Sequence, residues 1–143
     1  MSYQQGDAED LPLDDASFDV VLNVESSHCY GSMPRFLSEV HRVLRPGGHF
    51  CYADLRRKDD LPGLQAELAG IGLTLEREEN IAPNVLAALK ENNLQKLDYI
   101  REHAPRWLWD PLNTFAGIEG SAIWRGLEEG TTIYHCAVLR KPA

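Results

Sequence analysis

The side chains best suited to chemistry in this sequence come just after one short apolar run, Phe18 to Val24. His28 follows that run closely. Because an imidazole titrates near neutral pH, it can take the proton from a hydroxyl group as that oxygen reacts. His28 is therefore the candidate general base. The alternative is a structural histidine in a turn, since holding two reactants in line can matter more than a base.

Four further side chains near His28 are candidates for ligand contacts. Asn23 and Glu25 are candidates for cofactor binding, and Ser26 and Tyr30 for substrate binding. They stand where the apolar run ends, and in open α/β sheets ligands collect at the carboxyl ends of the strands. The alternatives are that Asn23 and Ser26 satisfy backbone groups of the turn, and that Tyr30 packs into the core.

A second candidate site is the acidic segment Gly6-Asp7-Ala8. We expect this segment to follow a short strand, so that the Asp7 carboxylate can accept a hydrogen bond beside backbone N–H groups that donate. Such a pair of groups suits the hydrogen-bonding edge of an adenine ring. The alternative is an acidic turn in which Asp7 and Glu9 are solvated or cap the backbone.

The third candidate group is aromatic. Trp107 and Trp124 are candidates for substrate binding, in a stretch that also contains Trp109 and Phe115. These rings could cover an apolar acceptor. Ordinary packing of short helices explains them equally well.

Strands and helices alternate around the first candidate group. Phe18 to Val24 has the nearly continuous apolar character of a strand covered on both faces, as in a parallel sheet, so it is not expected at an edge. Ser32 can cap the next helix, whose apolar residues recur at three- and four-residue spacing. A strand over His49 to Leu55 completes a βαβ unit, which indicates an α/β fold with a mainly parallel sheet.

The later part of the sequence is predicted to contain more helix than strand. Leu61 to Ile71 predicts another amphipathic helix, and Leu73 to Arg77 a third strand. The stretch from Pro83 to about Glu129 has a helical pattern with breaks at Pro105 and Pro111. We expect this stretch to be a helical insert before the last strand.

Thr131 to Arg140 is rich in β-branched and aromatic residues and predicts the last strand, with an antiparallel direction as one option. The chain is accordingly interpreted as a single partial domain. Residues 1–82 form its core βαβ units, residues 83–129 its helical insert or cap, and residues 130–143 its last strand.

The composition excludes several classes of function. The chain has 143 residues, 43% of them hydrophobic, and a net charge of -8 with scattered basic residues, which argues against nucleic acid or an anionic membrane as a partner. Cys29, Cys51 and Cys136 are an odd number without CxxC spacing, so neither disulfides nor a metal site is expected. No apolar stretch is long enough to span a membrane, and a cytoplasmic location is expected.

Two segments together, GDAEDLPLDDASFDVVLNVESSHCY and FLSEVHRVLRPGGHFCYADLR, resemble the later motifs of class I S-adenosylmethionine-dependent methyltransferases, of the type 11 domain. A looser likeness, through SSHCY, NVLAAL, FAG and YHCAVLRKP, is to bacterial O-methyltransferases of lipids, glycolipids and natural products. The resemblance implies a Rossmann-like fold and S-adenosylmethionine as cofactor. It also implies that Asp7 accepts from the adenine amino group, and that the backbone N–H of Ala8 donates to the ring.

The family's glycine-rich cofactor loop has no counterpart here, and neither has the acidic residue after its second strand. Gly47-Gly48, and Gly70 with Gly72, are expected to end helices and so cannot replace that loop. The fold is therefore expected to be truncated at its N-terminus. Losing two or three charged hydrogen bonds of roughly 1.5 to 3 kcal/mol each should weaken cofactor binding on the order of a thousandfold.

Two functions remain open at this point. In one, the chain belongs to an active methyltransferase that transfers a methyl group to a hydroxyl of a small or lipid-like molecule by in-line displacement. In the other, it is a non-catalytic remnant that serves as a binding or assembly module. In either case the Phe18 to Val24 strand would lack a neighbour on one side, which predicts a homodimer through that edge unless Met1 to Gly6 covers it.

Overall fold

A computed structural model of the chain describes residues 2–143. Within that range it forms one four-stranded sheet with the strand order β1-β2-β4-β3. The strands are β1 (Phe18–Val24), β2 (Leu44–Arg57), β3 (Thr74–Asn80) and β4 (Thr132–Arg140). The helices are α1 (Met33–Val43), α2 (Leu61–Gly70), α3 (Ala82–Glu91), α4 (Asn93–His103), α5 (Trp109–Phe115) and α6 (Ala122–Glu129).

The chain divides into two compact units. The first runs to Glu79 and includes the C-terminal segment His135–Ala143, and the second is Asn80–Tyr134. The first unit contains β1, β2 and the two helices that follow them, and the second contains the other four helices. The candidate residues near His28 all belong to the first unit, whereas both candidate tryptophans belong to the second.

Helix α1 forms the core of the first unit with β2. The Ser32 side chain caps the helix by accepting from the backbone N–H of Arg35 at 3.4 Å, as the sequence predicts. Leu37 and Val40 on its inner face are fully buried against Phe50 and the rest of the core. Burying each such side chain stabilises the fold by about 1.5 to 3 kcal/mol.

Strands β1 and β2 are parallel, and their register is regular from Val20, opposite His49, to Val24, opposite Ala53. The register shifts before Val20, where Gly48 comes close to β1. A Cβ atom on Gly48 would lie 2.9 Å from the Asp19 carbonyl oxygen, so only glycine fits there. The regular register brings the carboxyl ends of β1 and β2 side by side.

The predicted strand at Phe18 to Val24 is confirmed, but the prediction that it is covered on both faces is wrong. Strand β1 is at the edge of the sheet, and only its Val21 and Asn23 turn toward the core. Val20, Leu22 and Val24 on its other face are 50%, 70% and 59% exposed. An apolar run indicates how a strand is covered in a whole fold, and residues 2–143 supply no layer over this face.

Residues 2–6 add no strand to that edge. They are exposed and form no strand, so the short strand predicted before Gly6 is not observed, and Met1 lies outside the described residues. A strand needs a neighbour for its backbone hydrogen bonds. No strand of the described sheet borders this segment.

The sheet is mixed, so the prediction of a mainly parallel sheet is corrected. The end of β4 lies beside the start of β2, since the Gly47 N–H donates to the Lys141 carbonyl and the Lys141 N–H to the Gly48 carbonyl. Its start lies beside the end of β3, since the Ile81 N–H donates to the Tyr134 carbonyl. Strand β4 is therefore antiparallel to both neighbours, because it enters the sheet at the end where β3 leaves it.

The second unit is helical, as the sequence pattern predicts. Pro105 precedes α5 and interrupts the helices, but the break predicted at Pro111 is wrong because Pro111 lies inside α5. It occupies the first turn, where a backbone N–H has no partner within the helix to lose. No helix among residues 2–143 is long and apolar enough to cross a membrane.

Candidate active site

The candidate site forms where the chain leaves β1 and where β2 ends. The backbone N–H of Glu25 donates to the Ala53 carbonyl at 3.0 Å, which holds the chain at the edge of the sheet beyond β1. A single 3-10 turn over Ser27–Cys29 follows. The side chains after β1 therefore face those at the end of β2, as the expectation about carboxyl ends requires.

Asp54 is the centre of this arrangement. Its carboxylate is fully buried and accepts hydrogen bonds from the Ser27 hydroxyl at 2.5 Å, the His28 backbone N–H at 3.0 Å and the Leu55 N–H at 2.8 Å. The Arg56 guanidinium lies 3.3 Å away. Burial alone would raise the pKa of Asp54, but the hydrogen bonds from Ser27 and His28 and the charge of Arg56 outweigh it and lower that pKa.

His28 is held by Asp54. Its Nδ1 lies 2.7 Å from Asp54 Oδ1, and its side chain remains 42% exposed. Because an ionised carboxylate can only accept, Nδ1 carries the proton of this hydrogen bond. Nε2 is then the nitrogen left with a lone pair. The pair has the form of an oriented general base, in which a buried carboxylate fixes the ring and stabilises its charged form.

Arg56 and Tyr52 complete the surroundings of Asp54. The Arg56 guanidinium donates to the Ser27 hydroxyl oxygen at 2.5 Å, and the Tyr52 hydroxyl lies 3.0 Å from the same oxygen. Burial raises the pKa of Tyr52, so its phenol stays neutral and able to donate. Ser27 is thus fixed from several sides and in turn fixes Asp54.

Asn23, Ser26 and Tyr30 form a second group beside this one. Asn23 Nδ2 donates to Ser26 Oγ and to the Tyr30 hydroxyl, both at 2.9 Å, and the Tyr30 hydroxyl donates to Ser26 Oγ at 3.1 Å. These polar side chains bond to one another and not to turn backbone. The Tyr30 ring packs on Phe36 with its centroid 4.8 Å away, so the packing alternative for Tyr30 also has support.

Asn23 retains an unused acceptor. The residue is only 5% exposed, and its Oδ1 is buried without a hydrogen-bond partner among the described residues. A buried acceptor of this kind is costly unless a donor reaches it. A hydrogen-bond donor on a ligand at this edge of the sheet would satisfy it.

Glu25 has an uncommon backbone conformation for a side-chain-bearing residue, with φ at 52°. Its carboxylate is exposed. Glu25, His28 and Asp54 each bring one donor atom within 4.8 Å of the others, a set that could hold a metal ion. Asp54, however, already accepts several hydrogen bonds, and Arg56 adds a positive charge 3.3 Å away, which favours the hydrogen-bonded pair over a cation.

The segment Gly6-Asp7-Ala8 forms a tight turn. Asp7 is exposed, its Oδ1 accepts from the Glu9 N–H at 2.9 Å, and its carbonyl accepts from the Asp10 N–H at 3.1 Å. A Cβ atom on Gly6 would lie 2.8 Å from the Pro12 ring, which requires glycine. The local structure is therefore the acidic turn that the sequence analysis gave as the alternative. Adenine binding by Asp7 and Ala8 stays a prediction.

This acidic loop is attached to α1 and to the segment after His28. Arg42 donates to the carbonyls of Leu11 and Leu13 at 2.9 and 2.7 Å, and Glu39 accepts from the Leu11 N–H at 2.8 Å. The Glu9 carboxylate accepts from the Ser32 N–H at 2.8 Å. The acidic loop is thus tied to the later turns of α1 and, through Ser32, to the segment that follows His28.

The tryptophans of the second unit differ from one another. Trp107 is 76% exposed, whereas Trp124 is 4% exposed and belongs to the interior of its unit. The burial of Trp124 matches ordinary helix packing. Substrate binding by either residue stays a prediction.

The residues that sequence reasoning missed are those that hold the site together: Ser27, Tyr52, Asp54 and Arg56. The signal was present in β2, where Phe50, Tyr52 and Asp54 alternate on the buried face. A carboxylate at a position where the alternation requires an apolar residue indicates a buried, paired group.

The chain is similar in sequence to known methyltransferases. Residues 1–52 match a family described as a methyltransferase domain. The phthiotriol/phenolphthiotriol dimycocerosates methyltransferase of Mycobacterium tuberculosis is 44% identical over 134 residues, which is 94% of this chain and 50% of that protein. The fatty-acid O-methyltransferase of Mycolicibacterium smegmatis is 40% identical over 144 residues, covering 100% of this chain and 52% of the relative. The chain thus spans about half the length of the curated relatives it matches.

Solved structures show the same fold. A phosphoethanolamine N-methyltransferase of Haemonchus contortus in complex with S-adenosyl-L-methionine has a TM-score of 0.77 at 15% identity, over 96% of this chain and 36% of that one. A geranyl diphosphate C-methyltransferase of Streptomyces coelicolor has a TM-score of 0.64 at 15% identity, over 96% and 53%. The described α/β fold, with its mixed four-stranded sheet, resembles that of class I methyltransferases.

Proposed function

We propose that this chain takes part in the transfer of a methyl group from S-adenosylmethionine to a hydroxyl oxygen of a lipid-like acceptor. The observation that carries this proposal is the contact between His28 and Asp54 at the carboxyl ends of β1 and β2. A hydroxyl acceptor must lose a proton when it is methylated. The His28–Asp54 pair offers a place for that proton.

Each residue of the site has a separate role in the proposed reaction. When bound, S-adenosylmethionine would supply an electrophilic methyl group on a sulfonium, open to in-line displacement by the acceptor oxygen. His28 Nε2 would take the proton that the acceptor hydroxyl gives up, as the oxygen–carbon bond forms, the carbon–sulfur bond breaks and S-adenosylhomocysteine leaves. Asp54 stabilises the resulting imidazolium through the Nδ1 hydrogen bond. Ser27 and Arg56 keep Asp54 ionised and in place.

Cofactor binding by this chain is proposed for two groups of residues. Asn23 and Glu25 stand at the end of β1, and the buried Oδ1 of Asn23 is free to accept from a donor on the methionyl part. Gly6, Asp7 and Ala8 would meet the adenine. Such contacts come from one part of the cofactor site, and we expect residues of the rest of the relatives' length to supply others.

The names of the relatives support a class of acceptor. The printed names of the mycobacterial proteins specify a dimycocerosate lipid and a fatty acid as the molecules that are methylated. We propose an acceptor of the same lipid-like class here, contacted by Ser26 and Tyr30 in the first unit. Trp107 and Trp124 are proposed as further contacts in the second unit.

The direct test uses the chain extended to the full length of its relatives, with a labelled methyl donor and a long-chain alcohol as acceptor. We expect His28→Ala to slow methylation by roughly a hundredfold and to leave cofactor affinity unchanged. His49→Ala, in the first half of β2 and opposite Val20, is the matched control and should retain full activity. An unchanged rate in His28→Ala would return His28 to a structural role.

A second function, assembly, has one observation in its favour. The exposed apolar face and unpaired edge of β1 form a surface that pairs readily with another strand. We propose that the isolated chain forms a homodimer through Phe18–Val24 and the adjoining α1. If the chain takes no part in methyl transfer, this surface supports a role of the isolated chain as a binding or assembly module.

A further inference from the structure

The second unit contains a cavity that the proposed chemistry does not use. It lies between α4 and the C-terminal end of α5 and has a volume of about 390 Å³. That volume is within the range of ligand pockets in proteins. Its lining residues are Asn92, Gln95, Lys96, Tyr99, Ile100 and Ala116.

Two polar side chains of the lining donate to backbone carbonyls, and Gln95 is a further, exposed polar side chain of the same lining. Lys96 Nζ donates to the Ala116 carbonyl at 3.0 Å, and Asn92 Nδ2 donates to the Ala88 carbonyl at 2.9 Å. The Lys96 ammonium therefore sits at the carbonyl end of α5, where its positive charge is favoured. Because the Lys96 and Asn92 donors are used in this way, the apolar part of the cavity wall consists of Ile100, Ala116, the Tyr99 ring and the methylene groups of Lys96.

Large apolar side chains nearby are exposed to an unusual degree. Tyr99 is 64% exposed although its ring stacks on His103 at 4.2 Å, and Phe115, next to Ala116 in the chain, is 85% exposed. Exposed apolar side chains beside an apolar cavity indicate a binding surface more than a solvated one. A ligand that covers them would gain about 25 cal/mol for each Å² removed from water.

We propose that this cavity binds the hydrocarbon chain of a lipid-like molecule, with Ile100 and Ala116 as its floor and Tyr99 as its side. The class of ligand rests on the proposed function, because the relatives are named for methylating lipids and a fatty acid. A hydrocarbon chain matches the chemistry of the wall. Its binding requires no hydrogen bond from Lys96 or Asn92, whose side chains already donate to backbone carbonyls.

The test is a calorimetric titration of the 143-residue chain with sodium laurate and with dodecanol, each below the concentration at which it aggregates. We expect both to bind. Ala116→Phe fills the cavity and should weaken binding at least tenfold. Ala87→Phe, on the exposed side of α3, adds the same ring elsewhere and should leave the affinity unchanged.

Absence of binding to the native chain, or equal affinity in Ala116→Phe, would overturn the proposal. Binding of laurate without dodecanol would also overturn it, since the cavity would then recognise the carboxylate. If circular dichroism shows that Ala116→Phe does not fold, Tyr99→Ala takes its place, and it must weaken both ligands severalfold. The titration involves neither cofactor nor methyl transfer, so its failure leaves the His28 experiment standing, and a failed His28 experiment leaves this one standing.

Discussion

His28 and Asp54 meet because two parallel strands end side by side. The register that places Val24 opposite Ala53 brings the turn after β1 against the residue that follows Ala53. Each group alone would be ordinary: an exposed histidine in a turn, and a buried carboxylate with an arginine partner. Together they orient an imidazole with one nitrogen fixed and the other available.

Replacing Asp54 tests whether the carboxylate serves His28. In the extended protein, Asp54→Asn should slow methylation of a long-chain alcohol about tenfold or more, because an amide neither fixes the tautomer nor stabilises the imidazolium. A fatty-acid acceptor is already ionised, so its methylation should change much less. The measurement is the ratio of the two initial rates under saturating cofactor.

The control for Asp54→Asn is Asp19→Asn, an exposed carboxylate on β1 that pairs with Arg45. It should leave both rates unchanged. Because Asp54→Asn leaves buried donors without their charged partner, a loss of about 1 to 3 kcal/mol in the free energy of unfolding is expected. Rates must therefore be compared at temperatures where both variants are folded. Equal slowing of both acceptors would mean that Asp54 acts on the fold and not on the base.

At the scale of elements, β1 is the strand whose surroundings are incomplete. Leu22 is 70% exposed on the uncovered face, so Leu22→Lys should be tolerated by the monomer within about 0.5 kcal/mol while disrupting strand pairing between copies. Size exclusion with light scattering across a dilution series measures the result. We expect a dimer for the native chain and a monomer for the variant.

Leu75→Lys is the matched control for β1, since Leu75 is 50% exposed on β3 at the opposite edge of the sheet. It should leave the dimer intact. A monomer mass for the native chain at high concentration would contradict the proposed dimer. Loss of the dimer in Leu75→Lys alone would place the contact at the other edge.

Much of this architecture could be predicted from local pattern. The cap at Ser32, the spacing of apolar residues in α1 and the β-branched run of β4 each specify their element through local physics. The position of β1 in the sheet could not be predicted, because coverage of a strand depends on residues distant in sequence. The role of Asp54 could not be predicted for the same reason. Only the register of the folded sheet shows that its hydrogen-bond partners come from the turn after β1.

At the scale of the molecule, the chain contains the loop that we propose to bind adenine and the candidate base, and it spans about half the length of the curated relatives it matches. The loop is held to α1 by Arg42 and Glu39, and the base by Asp54, so both are formed within the described chain. The glycine-rich loop and the acidic residue after a second strand, which the resemblance to class I methyltransferases leads us to expect, have no counterpart in its sequence. We therefore propose that this chain contains only part of a cofactor site.

Calorimetric titration with S-adenosylhomocysteine tests that claim most directly, on the chain alone and on the chain extended to the length of its relatives. We predict that the extended protein binds and that the chain alone binds on the order of a thousandfold more weakly, because it lacks two or three charged hydrogen bonds. Asp7→Ala in the extended protein should weaken binding, with Asp10→Ala as the neighbouring control. Micromolar binding by the chain alone, or no binding by the extended protein, would contradict the account.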